Sequence, residues 1–186
     1  MDNFTKFSDY KKIVDDSLDN TNFEIVNDVC KLLFISKKTN SSVFLIGNGG
    51  SSATSIHFGN DLRTQCDIRA ISLTDIAAIT SIGNDYNYSE VFLRQLKTFF
   101  LPGDIVIGIS ASGNSPNISN CLNFANENKG ISISITGFDG GNCKLISNYA
   151  IHTPSDKDMY RPVEDCHMII CHYIVDSLVN RLVLEN

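Results

Sequence analysis

Five short runs of aliphatic and β-branched residues, each followed by a helical segment, constrain this chain more than any other feature. They lie at 42–46, 69–73, 104–109, 131–135 and 149–152. Runs of this length, bounded by Gly, Asn and Ser, read as strands buried on both faces. Helical segments are expected between them, near 52–64, 75–82, 88–99, 116–128 and 141–147. Strand and helix alternate about every 25 residues, the pattern of a doubly wound α/β sheet with parallel strands.

Helices are also expected at both ends. Within 2–39, Phe4, Phe7, Tyr10, Ile13, Val14 and Leu18 recur at spacings of three and four. So do Phe23, Val26, Val29, Cys30, Leu33 and Phe34, after a break at Asn20-Thr21-Asn22 with N-cap chemistry. This hairpin needs a partner surface, on the same chain or on another subunit. A long last helix is expected from about 163 to 184, with Ile169, Ile170, Tyr173, Ile174, Leu178 and Leu182 on its apolar side.

Composition sets the outer bounds. A chain of 186 residues with 42% hydrophobic and 19% charged residues is expected to form one domain with a substantial core, not a disordered polymer. No apolar run is expected to span a membrane, and the polar N-terminus does not read as a secretory signal. Fifteen Lys and Arg against 21 Asp and Glu give a net charge of −6 with no basic cluster, which argues against nucleic acid as a partner. A pocket for one small anion is compatible, because local dipoles outweigh net charge at short range. The six cysteines, at 30, 66, 121, 143, 166 and 171, form no C-x-x-C pair and read as reduced core thiols of a cytoplasmic protein.

Two strand-to-helix loops carry anion-binding chemistry. Gly47-Asn48-Gly49-Gly50-Ser51-Ser52 follows the first strand, and Ser110-Ala111-Ser112-Gly113-Asn114-Ser115 follows the third, with Pro116 suited to the first turn of a helix. Glycines let backbone approach a ligand, and each helix start offers free N–H groups and the positive end of its dipole. Serine hydroxyls complete a niche sized for one phosphate. Neither loop is a Walker A or dinucleotide-binding sequence, and either alone reads equally well as a helix-capping turn. Both lie at the carboxyl ends of sheet strands, where ligands of such sheets bind.

The motifs resemble those of the bacterial phosphoheptose isomerases, members of the sugar-isomerase (SIS) fold. Gly47-Asn48-Gly49-Gly50-Ser51, with His57-Phe58 and an acid at 61, is similar to the family's G-N-G-G-S and H-F-x-x-E. Gly83-Asn84-Asp85-Tyr86 and Phe92-x-Arg94-Gln95 match G-N-D-[YF] and F-x-R-Q. Residues 108–117 match G-I-S-T-S-G-N-S-x-N, residues 136–141 match T-G-x-D-G-G, and residues 164–172 stand where the family has Q-E-x-H-x-x-x-x-H. The resemblance spans nearly the whole chain in order and spacing.

It implies one SIS domain over 1–186, with oligomerisation helices in 1–40 and a flavodoxin-like core of five parallel strands in 41–186. It implies a homotetramer that converts sedoheptulose 7-phosphate to D-glycero-D-manno-heptose 7-phosphate, for nucleotide-heptose and surface-glycan (lipopolysaccharide or capsule) biosynthesis. The phosphate is expected on Ser51, Ser110, Ser112 and Ser115, with Asn48, Gly49, Gly50, Asp85 and Glu164 also in substrate binding. Asp61 and His172 are expected to move protons. Zinc is expected on His57, Asp61, Glu164 and His172. His57 and Asp61 stand four apart on one helix and so face one way. Glu164 and His172, eight apart on the last helix, are also expected on one face, and imidazole with carboxylate suits zinc.

Departures from the family's pattern touch the same positions. Asp61 replaces a glutamate and draws the carboxylate back by one methylene. Glu164 replaces a glutamine, Ala111 a threonine, and Gln65 an arginine, while Arg63 is expected to point elsewhere. An alternative reading is a non-catalytic SIS protein that binds a phosphosugar or a protein such as the replication initiator DnaA. His152 and His167 read as structural histidines, and Cys166 and Cys171 as core residues.

Overall fold

The computed structural model describes residues 6–185, so Phe4 of the N-terminal stripe lies outside the described residues. The five apolar runs form β1 (Val43–Gly47), β2 (Ala70–Ser72), β3 (Ile105–Ser110), β4 (Ile131–Thr136) and β5 (Tyr149–His152). All pair in parallel, in the order β2-β1-β3-β4-β5. This is the flavodoxin-like order, in which the chain reverses its direction of travel between β1 and β3.

Alternation along each strand divides the core into two layers. Val43, Leu45, Ile105, Ile107, Ile109, Ile133, Ile135 and Ile151 share one cluster with buried residues of α2 (Phe23–Thr39), α3 (Gly50–Thr64) and α8 (Tyr160–Glu185). Phe44, Ile46 and Val106 share the other with α5 (Leu93–Phe99), α6 (Pro116–Glu127) and α7 (Gly141–Ile146).

The N-terminal hairpin packs on its own chain. Asn22 caps α2 by accepting from the Glu24 N–H at 3.0 Å, and Val26, Val29, Cys30 and Leu33 are buried at helical spacing. Before it, α1 (Phe7–Asp19) lies along α8. The Tyr10 hydroxyl donates to the Asp165 carboxylate, and the Cys166 thiol reaches the Val14 carbonyl at 3.6 Å. Phe7 stays exposed.

Three elements differ from expectation. The segment 88–99 is not one helix: a single 3-10 turn at Tyr88–Glu90 precedes α5, because consecutive Val91 and Phe92 both turn into the core. The last helix begins at Tyr160, with Pro162 in its first turn, where a missing N–H costs no helix bond. The expectation that no segment is long and apolar enough to cross a membrane needs correcting as well. By length and composition Tyr160–Leu184 qualifies, yet Ile170, Ile174 and Leu178 of that helix are fully buried in the first core cluster.

One carboxylate ties the amino ends of the two central strands. Asp104 is buried and accepts from the Ser42 N–H at 2.7 Å and the Leu101 N–H at 2.8 Å. Asp104→Ala would leave the buried Ser42 N–H unpaired and release the Leu101 N–H of an exposed residue, so it is expected to cost about 1–3 kcal/mol of stability in urea unfolding. An unchanged midpoint would contradict this role.

Candidate active site

The reversal between β1 and β3 opens a crevice at the carboxyl ends of the two strands, and both Gly/Ser loops lie there. A cavity of about 160 Å³ sits between them. The first loop contributes Asn48 and Ser51, the second Ser110, Ser112 and Ser115, and α8 contributes Tyr160 and Glu164. At ~30 Å³ per water, this is room for about five waters, enough for a phosphate and part of its alcohol.

Both loops are held in shape. Gly49 takes φ 54°, which releases the chain into α3 with Ser51 in the first turn. Gly113 takes φ 63° and packs so closely on the Gly140 carbonyl that any side chain would collide. The segment after β4 braces the second loop: the Gly137 N–H donates to the Ala111 carbonyl (3.0 Å), and the Cys143 N–H donates to the Gly113 carbonyl (2.8 Å). The Ser110 and Ser115 hydroxyls lie 3.3 Å apart, and the Gly113 N–H donates to Ser110 Oγ at 3.2 Å. Among the described residues, no Lys or Arg lines the cavity. Its attraction for an anion comes from hydroxyls, amides and the amino ends of α3 and α6.

A second feature lies further along the same helix pair. His57 and Asp61 of α3 meet His172 of α8: the two Nε2 atoms are 3.0 Å apart, and His57 Nε2 is 3.3 Å from Asp61 Oδ2. One ligand atom from each of the three lies within 4.8 Å of the others. Asp61 is buried, and its Oδ1 accepts from Asn60 Nδ2 at 3.3 Å, while both imidazoles are exposed. A tetrahedral zinc with bonds of 2.0–2.1 Å separates its donors by about 3.3 Å, so the spacing and the imidazole–carboxylate chemistry both fit that ion.

Glu164, the fourth expected ligand, is not brought into this group. Eight residues on a helix are about 12 Å of rise and some 80° of rotation from His172, not a shared face. Its carboxylate instead stands against Gly50, in space that any side chain there would fill. Glu164 and Gly50 therefore meet at the cavity, and His57 and His172 meet at the other end of the α3–α8 contact. Asp85 is also apart. It is exposed at the end of α4 (Ile76–Asp85), accepts from Asn84 Nδ2 at 2.9 Å, and does not line the cavity. Arg63 turns away, as expected, to the Ala70 carbonyl at 2.9 Å.

The remaining histidines, His152 and His167, lie outside the His57, Asp61 and His172 group. Burial holds the His167 ring down to about 4, so it is neutral at pH 7. His152 bridges Lys144 Nζ (3.0 Å) and the Phe138 carbonyl (3.2 Å). All six thiols are buried and free. Two site residues had no assigned role in the sequence. Asn117, inside the second motif, exchanges two hydrogen bonds with Asn48 (2.8 and 3.0 Å), and the Tyr88 hydroxyl donates to Asn48 Oδ1 at 3.0 Å. Asn117 was within reach of motif reading; nothing in local spacing marks Tyr88.

Known proteins match this architecture. A SIS domain model matches residues 7–137. The chain is 34% identical to a phosphoheptose isomerase of Helicobacter pylori, over all of both chains. It is 36% identical to one of Trichlorobacter lovleyi, over 82% of this chain and 80% of that one. The solved phosphoheptose isomerase of Neisseria gonorrhoeae superposes with a TM-score of 0.84 at 26% identity, over 92% of this chain and 94% of that one.

Glu164 gives the site a pH signature. Burial raises its carboxyl above the ordinary value, the Asp165 charge adds to the rise, and Arg161 opposes it. The folded protein then holds this proton more tightly than the unfolded chain. The penalty is absent below the unfolded pKa and accrues as pH rises through the ordinary carboxylate range toward the raised folded value. Glu164→Gln is expected to be more stable than the parent at pH 7, with the two converging below about pH 4. Removing a negative charge from the cavity should also tighten inorganic phosphate at pH 7. Equal unfolding midpoints at both pH values would contradict the assignment.

Proposed function

The chain belongs to the SIS-domain family and, within it, to the phosphoheptose isomerases, and on that footing we propose that it converts sedoheptulose 7-phosphate to D-glycero-D-manno-heptose 7-phosphate. The observation that carries this reading is the parallel run of α3 and α8 from an anion cradle to a donor group. From Ser51 to His57 is about 9 Å of helix, and from Glu164 to His172 about 12 Å. An extended chain of seven carbons with ~1.5 Å bonds and a terminal phosphate ester spans a similar distance, about 10 Å. A phosphate held by Ser51, Ser110, Ser112 and Ser115 would place the carbonyl end of such a sugar beside Asp61 and His172.

Isomerisation moves a proton from C1 to C2 of the ketose and shifts another between the two oxygens. We assign these transfers to Asp61 and His172. The carboxylate has two oxygens, so Oδ2 can stay in the donor group while Oδ1 exchanges a proton. Its short side chain leaves little play, and the buried setting fixes its direction. His57, Asp61 and His172 would hold zinc; when bound, zinc would polarise the substrate oxygens and stabilise enediolate charge. Asn48, Gly49 and Gly50 shape the sugar side of the cradle.

The product would feed nucleotide-heptose synthesis for lipopolysaccharide or capsule, in a cytoplasm that keeps the six buried thiols reduced. We also infer a homotetramer. Helix α4 carries Ile76, Ala77, Ala78, Ile79 and Ile82 but has no buried residue, and Ile56, Ile169 and Tyr173 are exposed on the helices that carry the imidazoles. A neighbouring subunit that covered α4 would fix the position of Asp85 at its end.

Turnover tests this directly. With zinc supplied, the purified protein should form aldoheptose phosphate from sedoheptulose 7-phosphate, and Asp61→Asn should lower kcat at least ~100-fold. The parent should retain about one zinc per chain, and His57→Ala and His172→Ala should each lose it. No aldose product, or full turnover by Asp61→Asn, would reject the reading.

A further inference from the structure

We propose that Tyr88 is a positioning residue for the substrate: its hydroxyl locks the Asn48 side chain so that Asn48 meets the sugar as a hydrogen-bond donor. The proposal rests on the reading of the cavity as the ketose phosphate site.

Asn48 stands on the first loop and lines the cavity. Its Oδ1 accepts from the Tyr88 hydroxyl at 3.0 Å and from Asn117 Nδ2 at 2.8 Å, which uses both lone pairs. Its Nδ2 donates once, to Asn117 Oδ1 at 3.0 Å. One N–H is left over. A side-chain amide so engaged offers a ligand a donor and no acceptor, which suits a sugar hydroxyl or carbonyl oxygen.

The asymmetry comes from Tyr88. Asn117 is 1% exposed, and its amide pairs with Asn48 through both of its ends. Such a pair reads the same when both amides are turned over, so Asn117 alone does not choose Asn48's orientation. A phenol donates more strongly than it accepts, so the Tyr88 hydroxyl favours the orientation that turns Asn48 Oδ1 toward it. Tyr88 is well placed for that task although its ring is exposed. Its 3-10 turn is followed by Val91 and Phe92, both buried, and the Ser89 carbonyl accepts from Asn120 Nδ2 of α6 at 3.3 Å. The hydroxyl is therefore carried by backbone anchored in the core and on α6. The three side chains together join the loop after β1, the start of α6 and the segment after α4.

The serines of the cradle make no bond to Tyr88, so its loss should spare the phosphate and affect the sugar. Tyr88→Phe removes one hydroxyl. It should raise KM for sedoheptulose 7-phosphate about 3–10-fold, the range for one neutral hydrogen bond, with kcat within about twofold. Inhibition by inorganic phosphate should be unchanged. Asn48→Ala should lose at least as much, and the double variant should be no worse than Asn48→Ala alone. A parental KM in Tyr88→Phe, a parallel weakening of inorganic phosphate, or additive losses would overturn the proposal. The isomerase reading fails separately, if the parent does not turn over. Tyr88 is then judged by calorimetric binding of sedoheptulose 7-phosphate, where 3–10-fold weaker binding in Tyr88→Phe supports the proposal and equal binding overturns it.

Discussion

The contact between α3 and α8 is the constraint on which the rest depends. It sets Gly50 against Glu164 at one end and His57 against His172 at the other. A helix keeps 1.5 Å per residue, so two parallel helices in register carry a fixed distance between two chemistries. One end faces the loops at the strand reversal and is lined with hydroxyls. The other holds imidazoles over a buried carboxylate. The first core cluster enforces this pairing, because Phe58 and Leu62 of α3 and Ile170, Ile174 and Leu178 of α8 are buried in it together.

Among the described residues the cradle has no cationic side chain in its lining, and this fits an acidic protein. The net charge is −6, and among the described residues the only ionisable group lining the cavity besides the Tyr160 phenol is the Glu164 carboxyl. Amides and hydroxyls at two helix starts act only at short range, so they hold a phosphate already in contact and exert little pull from afar. An ionised Glu164 adds a charge that opposes a dianion. The Glu164 carboxyl is raised by burial and by the neighbouring Asp165 charge.

The sheet was legible because its signal is local. Each strand announces itself by an apolar run, four of them ending in Gly, Ser or Thr and β5 in His152, and all five appear within two residues of the expected bounds. The two Gly/Ser loops were legible for the same reason. What failed needed the third dimension. Glu164 was placed with His172 through motif resemblance, although about 80° of helix rotation separates them, and its partner Gly50 lies on another element. Tyr88 acts across forty residues of chain, and no local periodicity encodes that contact. The break at Val91-Phe92 was missed because helical spacing continues on either side of it. His57 and His172, 115 residues apart, were paired through motif resemblance alone, and the structure brings them to 3.0 Å.

Diffraction at the zinc absorption edge, from crystals grown with zinc and sedoheptulose 7-phosphate, tests the central claim most directly. An anomalous peak is expected bonded to His57, Asp61 and His172, with the phosphate of the same sugar between Ser51, Ser110 and Ser115. A peak at any other residues, or a phosphate bound away from the two loops, would contradict it.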